Sequence, residues 1–229
     1  MGTMDRTGSL TDILEFIENP EPRLPCALLV DTSLSMRKNG VIGDLNRQIQ
    51  VLSDKLETDY LASLRVELAV ITFGDSVEVI QDFVTVDSFR PPTMDADGLT
   101  SRMGEAIRTT LNHIETRRRK YIASGISYFR PCVLMFTDGE STGEPQDSLA
   151  NVLKVVKRTE EDCRIALWMI GTPNADTKQL EQLERDGNFI ALKRPAFPVL
   201  FDRLVLSMRQ VSRSRTDVEI ALDTDGLID

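Results

Sequence analysis

Three oxygen-bearing side chains follow an apolar run near the start of the chain. The run 26–30 (CALLV) is followed at once by Asp31, with Ser33 and Ser35 two and four residues later. A short apolar run bounded by polar residues is typical of a strand buried on both faces, so these side chains are expected at its carboxyl end. A carboxylate and hydroxyls are ligands that Mg²⁺ prefers. Asp and Ser are also common turn residues, so this stretch alone leaves both interpretations open.

A second apolar strand also leads into an acid. The run 131–137 (PCVLMFT) is followed by Asp138. In an open α/β sheet, ligands bind beyond the carboxyl ends of the strands, so Asp31 and Asp138 share one crevice if their strands are neighbours. Thr100 or Ser101, which follow a long loop and open a helix, can add a hydroxyl to the same crevice. Oxygen ligands from three loops indicate a cation site more specifically than the first stretch does.

Alternating strand and helix patterns cover most of the chain. Apolar residues at helical spacing predict helices over 10–18, 41–58, 98–121, 145–162, 176–186 and 196–213. Apolar or alternating runs predict strands over 26–30, 65–73, 77–83, 131–137, 164–170 and 189–192. The second and third strands flank Gly74-Asp75-Ser76, which indicates a hairpin with Asp75 as a turn residue. The alternation predicts a mostly parallel sheet with helices on both faces.

Composition limits the classes of partner. The net charge of −9 disfavours nonspecific binding to nucleic acid or anionic lipid and favours basic partners or cations. No apolar run approaches the ~20 residues that span a bilayer. The first ten residues lack the apolar core of a signal peptide. We therefore expect a cytoplasmic protein with neither nucleic acid nor membrane as a partner.

The remaining reactive residue types indicate structural roles. Cys26, Cys132 and Cys163 form no metal-ligand spacing and are odd in number, so they are expected to be free thiols. The single histidine, His113, excludes His-based triads and multi-histidine zinc sites and is expected on a helix surface. The basic run 117–120 suits a solvated helix end, with a docking patch for an acidic partner as the alternative.

The domain organisation is expected to be simple. The chain of 229 residues is long enough for one sizeable core and carries no linker-like segment. We divide it into a short N-terminal helix with a proline-rich lead-in (1–24), one α/β domain (25–213) and an acidic C-terminal tail (214–229). The tail has no helical stripe, so a disordered end and an added edge strand both remain open.

Together these motifs carry a family resemblance. DTSLSM, GLTSRMG and FTDGE resemble the metal-ion-dependent adhesion site (MIDAS) of von Willebrand factor A (vWA) domains, which reads Asp-x-Ser-x-Ser, a separate Thr and a later Asp. The segments ENPEPRLPCALLVDTSLSM, FGD, PPT and YFRPCVLMFTDGE are also similar to bacterial TerY-like proteins of tellurium-resistance-type operons. The resemblance covers roughly residues 19–209 and identifies 25–213 as a vWA domain.

The resemblance implies both a fold and a set of metal ligands. The implied fold is a doubly wound, Rossmann-like α/β fold whose six-stranded sheet has the order 3-2-1-4-5-6 with one antiparallel edge strand. Asp31, Ser33 and Ser35 would hold Mg²⁺, or else Mn²⁺ or Ca²⁺, with Thr100 coordinating directly and Asp138 directly or through water. Thr100 keeps the Gly-x-Thr order of relatives, although Ser101 has their usual spacing to the following Gly. Leu34 replaces a usual Gly and is expected to stiffen its loop.

The resemblance also implies a function. The expected function is non-enzymatic, metal-dependent protein–protein interaction, in which an acidic side chain of a partner fills an open position on the ion. The TerY-like branch implies a scaffold or adaptor in a tellurium-resistance-type stress response, with a PP2C-type phosphatase and a Ser/Thr kinase as partners.

The sequence also allows two alternative functions. One is a Mg²⁺-dependent hydrolase or phosphatase with Asp31 as nucleophile, but a haloacid-dehalogenase-type enzyme would need a second carboxylate where Ser33 stands. In the other, the metal is incidental, and the N-terminal helix and acidic tail make the contacts.

Overall fold

A six-stranded sheet runs through the part of the chain that the computed structural model describes, which is residues 10–139, 141–145, 147–161, 164–172, 175, 189–192 and 196–218. Its strands are β1 (Leu24–Asp31), β2 (Val66–Phe73), β3 (Val77–Thr85), β4 (Cys132–Thr137), β5 (Ala166–Gly171) and β6 (Phe189–Ala191). They lie in the order β3-β2-β1-β4-β5-β6. β2 and β3 are antiparallel, and the other neighbouring pairs are parallel. The predicted fold class, strand order and antiparallel edge strand are confirmed.

Helices cover both faces of this sheet. They are α1 (Leu10–Glu18), α2 (Leu34–Lys38), α3 (Val41–Glu57), α4 (Tyr60–Arg65), α5 (Met103–Ala123), α6 (Ser148–Glu161) and α7 (Phe197–Ser212). The short helices α2 and α4 were not predicted, because five or six residues are too few to show helical periodicity. The helix expected over 176–186, Cys163 and residues 219–229 of the acidic tail lie outside the described residues.

The central strand β1 is apolar because both its edges and both its faces are covered. Neighbours β2 and β4 pair with its edges, and all eight of its residues are buried. Leu28 and Val30 pack in a cluster with residues of α3 and α7, whereas Leu29 packs on the opposite face with residues of α5 and α6. Burying one such side chain contributes roughly 1.5–3 kcal/mol. The carboxyl end of β1 is therefore a rigid position for Asp31.

The connection from β3 to α5, a long loop in the sequence, is partly buried. Phe89, Met94 and Ala96 are buried in the same cluster as Leu28. Asn46 on α3 anchors the loop: its Nδ2 donates to the carbonyl of Met94 (2.8 Å), and the Met94 N–H donates back to its Oδ1 (3.0 Å). This packing holds the segment that leads into Thr100 and Ser101.

Buried charges occupy the amino-terminal end of the sheet. Glu67 on β2 and Arg23 are fully buried, and Nε of Arg23 lies 3.0 Å from Oε1 of Glu67. Nε of Arg117 donates to Oε2 of Glu67 at 2.9 Å, and the hydroxyl of Tyr121 donates to the same oxygen. Arg117 also pairs with Glu15 of α1, whose neighbouring residue Phe16 packs edge-on against Tyr121.

The interpretation of 117–120 as a solvated helix end is therefore wrong for Arg117, which lies in the core. Arg118 and Arg119 pair with Glu115 of the same helix. Because these three guanidinium groups already have acidic partners, their contacts do not favour the alternative of a docking patch.

The cysteines and the histidine take structural positions. Cys26 and Cys132 lie opposite each other on β1 and β4 as buried free thiols, which confirms the prediction for these two. His113 is only partly exposed, because its ring stacks on Phe83 (centroids 5.4 Å apart) and its Nε2 lies 2.9 Å from Oδ1 of Asp82.

We expect Glu67→Ala to lower the free energy of unfolding by about 3–5 kcal/mol, because it leaves the guanidinium groups of Arg23 and Arg117 buried without their shared carboxylate. Urea denaturation measures this change. Glu115→Ala is the matched control: Glu115 makes only part-exposed ion pairs, so its removal should cost less than about 1 kcal/mol. Equal effects of the two substitutions would contradict a structural role for the buried network.

Candidate metal-ion site

The two acids predicted to share a site follow neighbouring strands. β1 and β4 pair in parallel with Val30 opposite Phe136, so Asp31 and Asp138 stand at the same edge of the sheet. Both side chains are buried, Asp31 fully. The structure thus brings together the carboxyl ends of the two most apolar strands.

Three donors surround the carboxylate of Asp31. The hydroxyls of Ser101 and Thr137 each donate to Oδ2 at 2.9 Å, and the N–H of Ser33 donates to Oδ1 at 2.8 Å. The pKa of Asp31 is raised to about 6, first by burial and also by the charge of Asp138, although hydrogen bonds from Ser33 and Thr137 oppose the rise. A carboxylate pair at this edge is therefore electrostatically strained, which a bound cation would relieve.

The hydroxyls of Ser33 and Ser35 lie beside this carboxylate on the turn into α2. Their Oγ atoms are 3.0 Å apart. The turn is tied to the loop before α5, because the N–H of Leu34 donates to the carbonyl of Gly98 at 2.8 Å. Between turn and loop lies a small cavity of about 180 Å³. Residues that line it include Ser33, Leu34, Ser35, Thr100, Ser101 and Asp138.

Thr100 and Ser101 both line the cavity but make different contacts. The hydroxyl of Ser101 reaches Asp31, whereas the hydroxyl of Thr100 donates to Oδ1 of Asp75 (2.8 Å) and to the carbonyl of Gly74 (3.2 Å). The hydroxyl nearest the buried carboxylate is thus that of Ser101, the alternative to the residue favoured by sequence. Metal coordination by Thr100 stays a prediction.

Asp75 has a role in the site that its assignment as a turn residue missed. Besides the Thr100 hydroxyl, its Oδ1 accepts hydrogen bonds from the N–H groups of Leu99 (3.0 Å) and Thr100 (2.9 Å). These bonds, that of the Thr100 hydroxyl first, lower the pKa of Asp75 below its ordinary value. The tip of the β2–β3 hairpin therefore holds the loop that carries Thr100 and Ser101. The only sign of this role in the sequence was Gly-Asp at the hairpin, a pair that is also common in ordinary turns.

Glu144 is a second residue that sequence reasoning missed. Its carboxylate accepts hydrogen bonds from the N–H groups of Gly104 (2.8 Å) and Glu105 (3.1 Å) at the start of α5, and from the hydroxyl of Ser141. Partial burial would raise the pKa of Glu144, but these bonds and one from Ser148 outweigh burial and lower it. An acid at a helix N-terminus is favourable, so the loop after Asp138 is held against α5.

Close approach explains two glycines, one in the first turn of α5 and one in the loop after β4. A Cβ on Gly104 would lie 2.9 Å from the backbone nitrogen of Leu149, which begins the next helix's first turn. Gly143 has φ +74°, and a Cβ there would lie 2.6 Å from Cβ of Thr100. The start of α5 can approach the start of α6, and the loop after β4 can meet Thr100, only because these two positions lack side chains.

The donor set fits a hard divalent cation. Within the described residues no three acids, histidines or cysteines cluster, so ligands around Asp31 and Asp138 would be largely hydroxyl oxygens. Neutral oxygens with one or two carboxylates suit Mg²⁺, which usually keeps several waters, and do not suit a soft metal.

Comparison with known proteins identifies the family to which this fold belongs. The profile of the von Willebrand factor type A domain matches residues 27–200, and the chain belongs to this family. Domains of this family often act as protein-interaction modules. A comparison with curated protein sequences found no match.

Solved structures show the same fold at low sequence identity. A von Willebrand factor type A protein from Catenulispora acidiphila is 15% identical with a TM-score of 0.62, and the match covers 82% of this chain and 43% of that one. The pilus adhesin SpaC from Lactobacillus rhamnosus GG is 10% identical with a TM-score of 0.63, covering 82% and 30%. BatB from Bacteroides thetaiotaomicron is 13% identical with a TM-score of 0.56, covering 83% and 100%. The chain thus matches less than half the length of the first two.

The described helices were also compared with what a lipid bilayer requires. None of them is both long enough and apolar enough to cross a membrane.

We expect the raised pKa of Asp31 to make stability depend on pH. The ordinary value is 3.8 and the folded value about 6, so between these the folded state binds the extra proton and its stability falls as pH rises. Asp31→Asn removes this contribution. In EDTA, the free energy of unfolding of the variant relative to wild type should therefore increase by up to about 3 kcal/mol from pH 4 to pH 7. A pH-independent difference between the two proteins would contradict the assignment.

Proposed function

We propose that this chain is a non-enzymatic, metal-dependent protein-interaction module. The observation that carries the proposal is the meeting of Ser33, Ser35, Ser101 and Asp138 around one small cavity at the carboxyl edge of the sheet, with Asp31 hydrogen-bonded to Ser101. Two carboxylates and several hydroxyls in one place have no evident purpose in folding, because burial of Asp31 opposes its ionisation.

The ion would be held by this chain's own oxygens. Asp31, Ser33 and Ser35 supply the first group, Asp138 the second acid, and the loop before α5 the remaining hydroxyl from Thr100 or Ser101. We propose Mg²⁺, with Mn²⁺ or Ca²⁺ as substitutes. When bound, the ion supplies a positive charge that can attract a carboxylate of another protein.

The size of the cavity supports one inserted side chain as the ligand. At about 180 Å³ it is smaller than the roughly 300–1,000 Å³ of small-molecule sites. A single Asp or Glu of a partner protein can fill such a space beside an ion, whereas a cofactor-sized molecule cannot.

The environment of Asp31 supports recognition rather than turnover. A carboxylate nucleophile must reach its substrate, but Asp31 is fully buried and both of its oxygens accept hydrogen bonds. Incubation with a generic phosphate ester and Mg²⁺ or Mn²⁺ tests this part of the proposal, and sustained turnover that Asp31→Asn abolishes would refute it.

The biological setting rests on the sequence motifs. The similarity of the lead-in, FGD and YFRPCVLMFTDGE segments to TerY-like proteins supports a scaffold or adaptor in a tellurium-resistance-type stress response. We propose a PP2C-type phosphatase and a Ser/Thr kinase as its partners. Each would contribute an acidic side chain to the ion.

Metal binding is the first test. Isothermal titration of the chelator-treated protein with MgCl₂ or MnCl₂ should show one site, and Asp31→Asn should weaken it by at least tenfold because a charged ligand is lost. Affinity should also fall as pH drops below about 6, where a proton competes for Asp31. Asp82→Asn is the control, since Asp82 pairs with His113 away from the cavity. A titration without heat, together with no measurable uptake of Mn²⁺, would refute metal dependence.

A pair of neighbouring substitutions decides which loop hydroxyl matters. Because the Ser101 hydroxyl is the one that reaches Asp31, Ser101→Ala should lower Mn²⁺ affinity by about 10-fold or more. Thr100→Val keeps the shape of its side chain and should change affinity by less than about threefold. The reverse order would establish Thr100 as the ligand, as the family resemblance implies.

Partner capture tests the whole proposal. Purified chain is mixed with the PP2C-type phosphatase and the Ser/Thr kinase of its own organism, with Mg²⁺ or with EDTA, and complex formation is measured by size-exclusion chromatography. Complexes should require Mg²⁺ and disappear with Asp31→Asn. Binding that persists in EDTA and in the variant would show that other surfaces make the contact.

A further inference from the structure

The rim of the cavity carries an unusual apolar residue. Leu99 is 83% exposed, the highest value among the large apolar side chains of the described residues. A single exposed leucine is ordinary on a protein surface and by itself indicates nothing. Its position beside the cavity and the way its backbone is held distinguish it.

The backbone on both sides of Leu99 is fixed. The N–H of Gly98 donates to the carbonyl of Thr32 (3.1 Å), and the N–H groups of Leu99 and Thr100 both donate to Oδ1 of Asp75. Gly98 is also packed so closely that a Cβ would lie 3.2 Å from Cα of Gly74. These hydrogen bonds of the backbone hold Leu99 with its side chain outward. The residue cannot turn inward without breaking them.

A second leucine stands on the other side of the cavity. Leu34 is partly buried at the start of α2 and lines the same cavity as Leu99. The most deeply buried lining residues, Ser33, Ser101 and Asp138, are polar, whereas Leu34 is partly buried and Leu99 is exposed. Polar groups thus lie deepest, with two leucines less buried than they are, an arrangement that suits one polar side chain flanked by apolar ones.

Charge restricts the partner further. Across Gly98 lies a second cavity of about 260 Å³, which is lined by Asp75, Glu78, Asp95 and Asp97. Asp95 pairs with Arg37, and the other three acids repel additional carboxylates next to the first, in a chain whose net charge is −9. A strongly acidic segment is therefore disfavoured as a partner, although one acidic side chain is needed to bind the ion in the cavity.

We propose that Leu99, held by Asp75, is a specificity-determining contact that selects a protein segment with one acidic residue and an apolar side chain within two positions of it. This inference rests on the proposed function, since the acid would fill the ion's open position. Asp75 acts as a positioning residue, because it touches the Leu99–Thr100 backbone and not the partner.

A phage-displayed library of random heptapeptides tests the inference. Selection on immobilised protein in Mg²⁺, with elution by EDTA, should enrich peptides that contain a single Asp or Glu with Leu, Ile, Met or Phe within two positions. Selection on Leu99→Ser should keep the acidic residue and lose the apolar one. Leu206→Ser, at an exposed leucine of α7 outside the cavity lining, should select the wild-type motif.

Affinities of one selected peptide provide the quantitative readout. Leu99→Ser should weaken binding by about tenfold, the loss expected for one apolar contact, while Mn²⁺ affinity stays unchanged. Leu99→Met should restore binding. Unchanged peptide affinity in Leu99→Ser, or an acidic motif with no apolar neighbour, would overturn the inference and leave the proposed function standing. Selected peptides without an acid, or ones that EDTA does not release, would overturn the proposed function itself.

Discussion

The site depends on one buried carboxylate. Asp31 ends the most enclosed strand of the sheet, and its oxygens accept hydrogen bonds from Ser33 on the same chain segment, Ser101 on the loop before α5 and Thr137 on β4. A single side chain thus joins three segments that are far apart in sequence. The charge is costly to bury, and the hydrogen bonds offset this cost only in part, because the pKa of Asp31 remains raised.

The surrounding loops are held by groups outside the MIDAS-like motif. Asp75 holds the loop before α5 from the hairpin side, and Glu144 holds the loop after β4 against the start of α5. Because the carboxylates of Asp75 and Glu144 bind backbone N–H groups, they hold the loops in position without acting as ligands themselves. Such an arrangement reduces the ordering that binding would otherwise require, which is the usual benefit of a pre-organised site.

Membership of the family accounts for the fold and a general role. The details of the candidate site depend on this chain's own residues. Relatives that share the sheet include proteins as different as a pilus adhesin and BatB, at 10% and 13% identity. Likeness at this level of identity shows the fold alone, and a shared fold does not determine a function. In this chain the most deeply buried residues of the cavity at the carboxyl edge of the sheet are polar, Leu99 beside them is exposed, and acids line the neighbouring cavity.

Much of the fold and part of the candidate site could be predicted from the sequence. The features that could not be predicted depend on contacts between residues far apart in the chain. The apolar runs that end at Asp31 and Asp138 determined the strands, their burial and the edge at which the acids stand, because hydrophobic periodicity is a local signal. Local sequence could not show that Arg117 lies in the core, since its partner Glu67 is fifty residues away. Nor could it show that the hydroxyl of Ser101 reaches Asp31 whereas that of Thr100 reaches Asp75. These contacts depend on Asp75 and on the absence of a side chain at Gly143, and only the tertiary structure brings these residues together.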